Sequence, residues 1–251
     1  MSPATKPHAA RSSRLKTLTY AGHSAVLLGG DGLSVAIDPW LNNPLCPATL
    51  KHPAALDLIV LTHGHADHAS DVPALAKKTH AKVAATYELA QCLAKAGVPE
   101  GQLIFMNKGG TVEVAGLTVS LVHALHSNSF DTPVGPVYAG EACGVVVSDG
   151  NHTVYHAGDT ALFSDMRLIA EIHRPTVACL PIGDCFTMGP KDAARAAELI
   201  GAPIVVPIHY ATFPLLTGTA EEFVAACHER CGDTGPRVQA LKPGETIDVG
   251  R

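Results

Sequence analysis

Apolar and polar residues alternate along Leu15-Lys16-Thr17-Leu18-Thr19-Tyr20, and shorter apolar runs follow at 25–28 and 34–38, with Gly29-Gly30-Asp31-Gly32 between them. Period-two patterning broken by glycine-rich turns predicts a β-meander. The run LDLIVLT at 56–62 is apolar almost throughout, the mark of a strand buried on both faces. Helices are predicted at 72–78 and 87–96, the second stopped by Gly97 and Pro99. A second β-rich stretch covers 103–106, 111–114, 117–122, 143–148 and 153–156. After it come a helix at 166–171, a strand at 177–181, an alanine-rich helix at 191–200, a strand at 204–208 and a helix at 220–228. Thr219 with Glu222 three residues on reads as a capping box opening the last helix. Meander plus β/α units therefore occurs twice. An α/β fold of two mixed sheets packed face to face, with helices outside, satisfies that order. No linker composition, charge block or repeat interrupts 15–251, which reads as one domain behind a flexible extension at 1–14.

Composition narrows the function classes. Hydrophobic residues make up 47% of the 251 and charged ones 16%, which excludes disorder and leaves ample core. Lys plus Arg is 18 against 23 Asp plus Glu, net −5, so a nucleic-acid partner held through phosphates is not expected. No apolar run reaches the roughly 18–20 residues of a membrane span, and the N-terminal stretch lacks the apolar segment of a secretory signal. Seven cysteines with no C-x-x-C pair point to a reduced, cytoplasmic protein with buried thiols. Cys227 and Cys231, four apart, are expected to pack on one helix face. Histidine is the outlier, 14 in a chain with one Trp, and directs attention to metal sites.

Position sharpens that lead. Five apolar runs each end in a ligand-capable residue: LDLIVLT in His63, TVSLV in His123 and His126, TVYHAG in Asp159, TVACLPIG in Asp184, and IVVPI in His209. A single histidine after a strand is usually a hydrogen-bonded structural residue, but five such endings suggest one convergent site. The sharpest motif is Thr62-His63-Gly64-His65-Ala66-Asp67-His68. Side chains two apart on extended chain point the same way, so His63 and His65 can clasp one ion. A turn at Gly64 then carries Asp67 and His68 toward a neighbouring position. Imidazole and carboxylate without thiolate suit zinc, iron, manganese or nickel, and argue against a closed structural zinc site.

Several longer segments accompany the motif: Gly22-His23-Ser24, Ile37-Asp38-Pro39, His126-Ser127, TVYHAGDT at 153–160, HRPTVACLPIGDCFTMGP at 173–190 and VPIHYATFP at 206–214. Together they resemble the metallo-β-lactamase superfamily, whose signature is His-x-His-x-Asp-His. Within it they resemble the small metal-dependent hydrolases close to the ascorbate-6-phosphate lactonases, from about Leu15 to Val249. The resemblance implies a four-layer αβ/βα sandwich and two divalent ions, zinc first, with manganese, iron or nickel as alternatives. It implies His63, His65 and His126 at one metal, Asp67, His68 and His209 at the other, and Asp159 bridging them. His123 is then an outer partner, His156 an outer partner or a structural residue, and Asp38 either orients a ligating histidine or caps its turn. Tyr210 either meets a substrate oxygen or covers the site. Cys185, where the branch often has Asn, is either a reactive thiol near the site or, the favoured reading, a buried, inert one. His68 stands where many true β-lactamases carry Arg, and no cysteine ligand is present, so antibiotic hydrolysis is not implied.

The activity implied is hydrolysis by metal-bound hydroxide at a dinuclear site, on a small ester, lactone, thioester, amide or phosphoester. Asp67, His23 and Asp184 are the candidate catalytic residues, with His23, His123 or a bound water supplying the leaving-group proton. A small-molecule substrate is expected, with neither nucleic acid nor membrane as partner, and homo-oligomerisation stays open. The alternatives are a non-catalytic metal-binding or regulatory protein on the same scaffold, and a nuclease or phosphodiesterase.

Overall fold

The computed structural model describes residues 15–250, so the expected flexible extension at 1–14 lies outside the described residues. The first half runs β1 (Leu15–Tyr20), β2 (Val26–Gly30), β3 (Leu33–Ile37), β4 (Leu58–Val60), α1 (Ala66–Ala69), α2 (Val72–Thr79), β5 (Lys82–Thr86), α3 (Tyr87–Lys95) and β6 (Leu103–Met106). The second runs β7 (Thr111–Val114), β8 (Leu117–His123), β9 (Ser129–Thr132), β10 (Gly135–Tyr138), β11 (Cys143–Ser148) and β12 (Thr153–His156). It continues through α4 (Met166–His173), β13 (Val177–Pro181), α5 (Pro190–Ile200), β14 (Ile204–Ile208), α6 (Ala220–Cys231), β15 (Arg237–Val238) and β16 (Thr246–Asp248).

Two seven-stranded sheets result, ordered β16-β1-β2-β3-β4-β5-β6 and β15-β14-β13-β12-β11-β8-β7, with β9 and β10 as a separate hairpin. In each sheet antiparallel strands give way to parallel ones: β3 to β6 run parallel in the first, and β12 to β15 in the second. Alternation decides which layer each strand residue joins. Val35 and Ile37 of β3 enter the core between the sheets, whereas Ala36 joins the layer under α2 and α3. Val145 and Val147 of β11 likewise enter the inter-sheet core, and Val146 faces the layer under α4, α5 and α6. Helix, sheet, sheet, helix is the expected four-layer order. The capping box forms as read: Thr219 Oγ1 accepts from Glu222 N at 3.2 Å, and Thr219 N donates to Glu222 Oε2 at 3.1 Å.

Five strands escaped the pattern. β5 is Lys-Val-Ala-Ala-Thr running straight into α3, where alanine's weak strand preference hides its place in the middle of a parallel sheet. The β9–β10 hairpin contains Pro133 and Pro136, which disfavour strand in any local reading. β15 and β16 are edge strands of two and three residues. Among the described residues no helix is long and apolar enough to cross a membrane.

Candidate metal centre

Parallel strands present their C-terminal ends on one side of a sheet, and the loops leaving them are where α/β folds build sites. Asp38 follows β3, the 62–68 segment follows β4, Asp159 follows β12 and His209 follows β14. His23, Asp38 and His209 all take positive φ, at 54°, 46° and 54°. That region is costly for residues with a Cβ and is held only where the surroundings enforce it. Part of the enforcement is a backbone bond from His209 N to His23 O at 2.8 Å, which joins the two loops.

The 62–68 segment is pinned by its neighbours. Gly64 donates its N–H to Asn128 Oδ1 at 2.8 Å, and a Cβ there would stand 2.8 Å from Leu89 Cδ1 and 2.8 Å from the Ser129 carbonyl. Only glycine lets the chain pass so close to β9. On the other side, a Cβ at Gly158, where φ is +62°, would stand 2.6 Å from Thr62 Cβ, so Asp159 is brought up against the same segment.

Around this frame the polar side chains form two groups about one carboxylate. His63, His65 and His126 bring one ring nitrogen each to within 4.8 Å of one another, and the ring nitrogens of His23, His68 and His209 with a carboxylate oxygen of Asp67 do the same. Asp159 lies between them. Its Oδ2 is 3.9 Å from His63 Nε2, 3.7 Å from His126 Nε2 and 3.0 Å from His209 Nε2, and its Oδ1 is 3.3 Å from His68 Nε2. Asp67 Oδ2 is 2.9 Å from His23 Nε2 and 3.7 Å from His209 Nε2. All seven residues expected as ligands, and His23 with them, are thus brought together.

Hydrogen bonds aim the rings. Asp38 Oδ1 accepts from Thr62 N at 2.8 Å, and Oδ2 accepts from the Thr62 hydroxyl at 2.6 Å and from His68 Nδ1 at 2.8 Å. Asp38 is therefore the residue that orients His68, which settles the two readings of it. Since the Thr62 hydroxyl donates to Asp38, it can only accept from His63 Nδ1, 3.0 Å away. His63 consequently carries its proton on Nδ1 and leaves Nε2 to accept from His65 Nδ1, 3.0 Å away, while His68 donates from Nδ1 and turns its Nε2 toward Asp159, the outer-partner arrangement typical of ligating histidines. His23 Nδ1 is 2.9 Å from Thr212 Oγ1, which directs its Nε2 at Asp67.

Electrostatics divides the groups further. Burial pushes His63, His65 and His126 below the ordinary histidine range, and burial takes His23 to about 4 against the pull of Asp67. Burial also works against charge on His68 and His209, but the carboxylates outweigh it: Asp159 and Asp38 hold His68 well up, and Asp159 and Asp67 hold His209 up to about 9. Asp159 and Asp67 lie below the usual carboxylate range despite burial, chiefly through His209. Neutral imidazoles and ionised carboxylates are the forms that bind metal. His68 Nε2, Asp159 Oδ1 and both ring nitrogens of His209 are buried with no hydrogen-bond partner. Orphaned buried polar atoms are costly and uncommon, and here His68 Nε2 faces Asp159 Oδ1 at 3.3 Å while His209 Nε2 lies 3.0 Å from Asp159 Oδ2, as ligands of a shared cation would. The residues fit a metal.

Other expectations need correcting. His123 is no partner of His126: it is exposed, 3.3 Å from Lys108 Nζ, with its ring against Phe163. Asp184 is exposed and turned into its own loop, where Oδ1 accepts from Cys185 N at 2.8 Å. Positive φ at both 184 and 185 sets the path of that loop. Cys185, on the same loop, is exposed rather than buried. Tyr210 points away from the cluster, stacked on Tyr20 with its hydroxyl 3.5 Å from the Leu241 carbonyl. His156 is structural: Nε2 bonds the Ser24 carbonyl at 2.9 Å and Nδ1 accepts from Gly158 N at 3.1 Å, so both nitrogens are used. Cys227 packs in the layer under α6, while Cys231 is half-exposed. Thr62, Asn128 and Thr212 went unread as site residues, and nothing local marks them.

The comparisons agree with this geometry. Residues 34–210 match the family model described as Beta-lactamase superfamily domain. The chain is 43% identical over 235 residues to a UPF0173 metal-dependent hydrolase of Koribacter versatilis, covering 91% of this chain and 96% of that one. It is 48% identical over 222 residues to one of Myxococcus xanthus, covering 87% and 78%. Among solved structures it is similar to a metallo hydrolase from the hyperthermophilic archaeon Ignicoccus hospitalis, with a TM-score of 0.81, 38% identity, and coverage of 93% of this chain and 97% of that one.

Proposed function

The chain belongs to the UPF0173 metal-dependent hydrolases of the β-lactamase superfamily, and from that premise we propose that two divalent ions sit side by side in the cluster. The first ion would be held by His63, His65 and His126, the second by Asp67, His68 and His209, with Asp159 shared. The observation that carries this reading is the place of Asp159, within 4 Å of nitrogens in both groups. Zinc fits the nitrogen-rich donor set, and manganese, iron and nickel are compatible with it.

Two such ions would supply an activated water at neutral pH and a Lewis acid for the oxygen that gains charge. The chain's own residues do the rest. Asp38 and Thr62 keep His68 and His63 in the tautomer whose Nε2 lone pair faces inward. His23 stands beside Asp67 with Nε2 available to carry a proton for the departing group. In the net reaction the carbon–heteroatom or phosphorus–oxygen bond breaks, the water oxygen joins the electrophilic atom, and the water's second proton leaves with the departing group. Exposed Asp184 and His123 have no place in this scheme.

Metal content of protein purified without added metal, followed by rates on a lactone, a thioester and a phosphodiester panel, tests the reading. Two ions per chain and hydrolysis abolished by a chelator are expected. Asp159→Asn should lose at least one ion and most of the rate while unfolding like the parent. Full metal and full rate in that variant would refute the shared-carboxylate arrangement.

A further inference from the structure

The loops that carry the cluster are apolar at their outer ends and carry no lysine or arginine. His126 is preceded by Leu125, 53% exposed, whose N–H donates to Thr160 Oγ1 at 3.0 Å, so it stands beside Asp159. The 184–188 turn bonds the same residue, Met188 N to the Thr160 carbonyl at 3.1 Å, and raises Phe186, 51% exposed. After His209 come Phe213 and Leu215, the latter 59% exposed. Phe213 stacks on Trp40 at 5.9 Å, and both rings meet His23, at 5.4 and 5.3 Å. Trp40 and Phe213 thus stand against His23, while Leu125 and Phe186 are carried on loops tied to Thr160, the residue after Asp159. An exposed apolar cluster continuous with a few convergent polar groups is the build of a small-molecule pocket.

Charge points the same way. Stretches 38–50, 52–76, 123–165, 175–190 and 202–219 contain every cluster residue except His23, and none contains Lys or Arg. Lys108 is bound to Glu141 and His123, and Lys191 lies with Glu229 and Arg230 in a groove between α5 and α6. Of the carboxylates outside the cluster, Asp131 on β9 stands close to His65. A phosphate or carboxylate on the body of a substrate would find no cationic partner among these described residues, and a like charge at Asp131.

We propose that the site takes an uncharged carbonyl substrate with an apolar body, an ester, lactone, thioester or amide, and discriminates against phosphorylated and carboxylate-bearing ones. This rests on the metal reading above, and the experiment separates the two. The full chain is loaded with zinc and its metal content measured. Straight-chain hydroxamates from acetohydroxamate to octanohydroxamate, and chains of equal length ending in carboxylate or phosphate, are then titrated calorimetrically.

Each added methylene should tighten binding up to about fourfold, and a terminal anion should cancel that gain. Phe186→Ser/Leu215→Ser should flatten the series while still binding acetohydroxamate. If acetohydroxamate binds but the series is flat, or the anion-ended chains bind more tightly, the substrate class is overturned and the metal reading stands. Protein that takes up no metal overturns both, whereas protein that holds metal yet binds no hydroxamate overturns the substrate class alone.

Discussion

Asp38 offers the sharpest test of how the centre is held. It is fully buried and accepts three hydrogen bonds, two from Thr62 and one from His68. Asp38→Asn preserves shape but replaces one oxygen by an N–H₂ group. With the amide nitrogen at the Oδ2 position, two donors face a donor; with the amide flipped, the Thr62 backbone N–H does. Neither orientation satisfies all three partners. Hydrogen bonds to a charged group are each worth about 1.5–3 kcal/mol, and breaking a buried ion pair costs about 3–5 kcal/mol. A loss of about 3–5 kcal/mol is expected for the metal-free protein at pH 7, or roughly 1–1.7 M in urea midpoint for an m-value near 3 kcal/mol/M.

The same change permits His68 to move its proton to Nε2, the atom that faces Asp159. Zinc affinity should then fall about 10–100-fold in a chelator competition, as for other outer partners of ligating histidines. The sign of the pH dependence follows from the carboxyl's lowered value, which His68 maintains against burial. The wild-type advantage is complete above about pH 4, the ordinary carboxylate value, and is lost as pH falls through the lower folded value. Asp57→Asn is the control, an exposed carboxylate that accepts from Ser34 N at 2.8 Å, and should stay within about 0.5 kcal/mol of the parent. If Asp38→Asn matched that control in both midpoint and zinc affinity, the assignment of Asp38 as the residue that orients His68 would be wrong.

Two further outcomes are expected. His126→Ala should empty one metal position whereas His123→Ala keeps both, read as zinc per chain after gel filtration; the reverse result would exchange their roles. Metal loading should release protons at pH 7, because the carboxylates hold His68 and His209 above their ordinary values, the latter at about 9. Calorimetry in buffers of different ionisation enthalpy should show that release shrinking as pH rises through about 9, and a release that does not change with pH would contradict the charge state inferred for His209.

Much of this molecule was legible in the chain itself. Alternation separated the inter-sheet core from the two helix-covered layers, as Val35, Ala36 and Ile37 show. Polar residues at the ends of apolar runs marked the loops that converge, and Thr62 to His68 announced its chemistry by spacing alone. These features are local: strand period, turn residues and the reach of side chains two apart are set by neighbouring φ and ψ. What the fold decided were partnerships across long separations. Asp38 meets His68 thirty residues on, His23 meets Asp67 and Thr212, and Asn128 holds Gly64 from 64 residues away. The same holds for errors of local reading. His123 and His126 differ only in which way β8 releases them, Asp184 and Cys185 lie on a loop whose path positive φ sets, and β5 is a strand because parallel β4 and β6 flank it. Burial and hydrogen-bond satisfaction are properties of packed surroundings, so a residue's role in the centre is defined only once both sheets have come together around it.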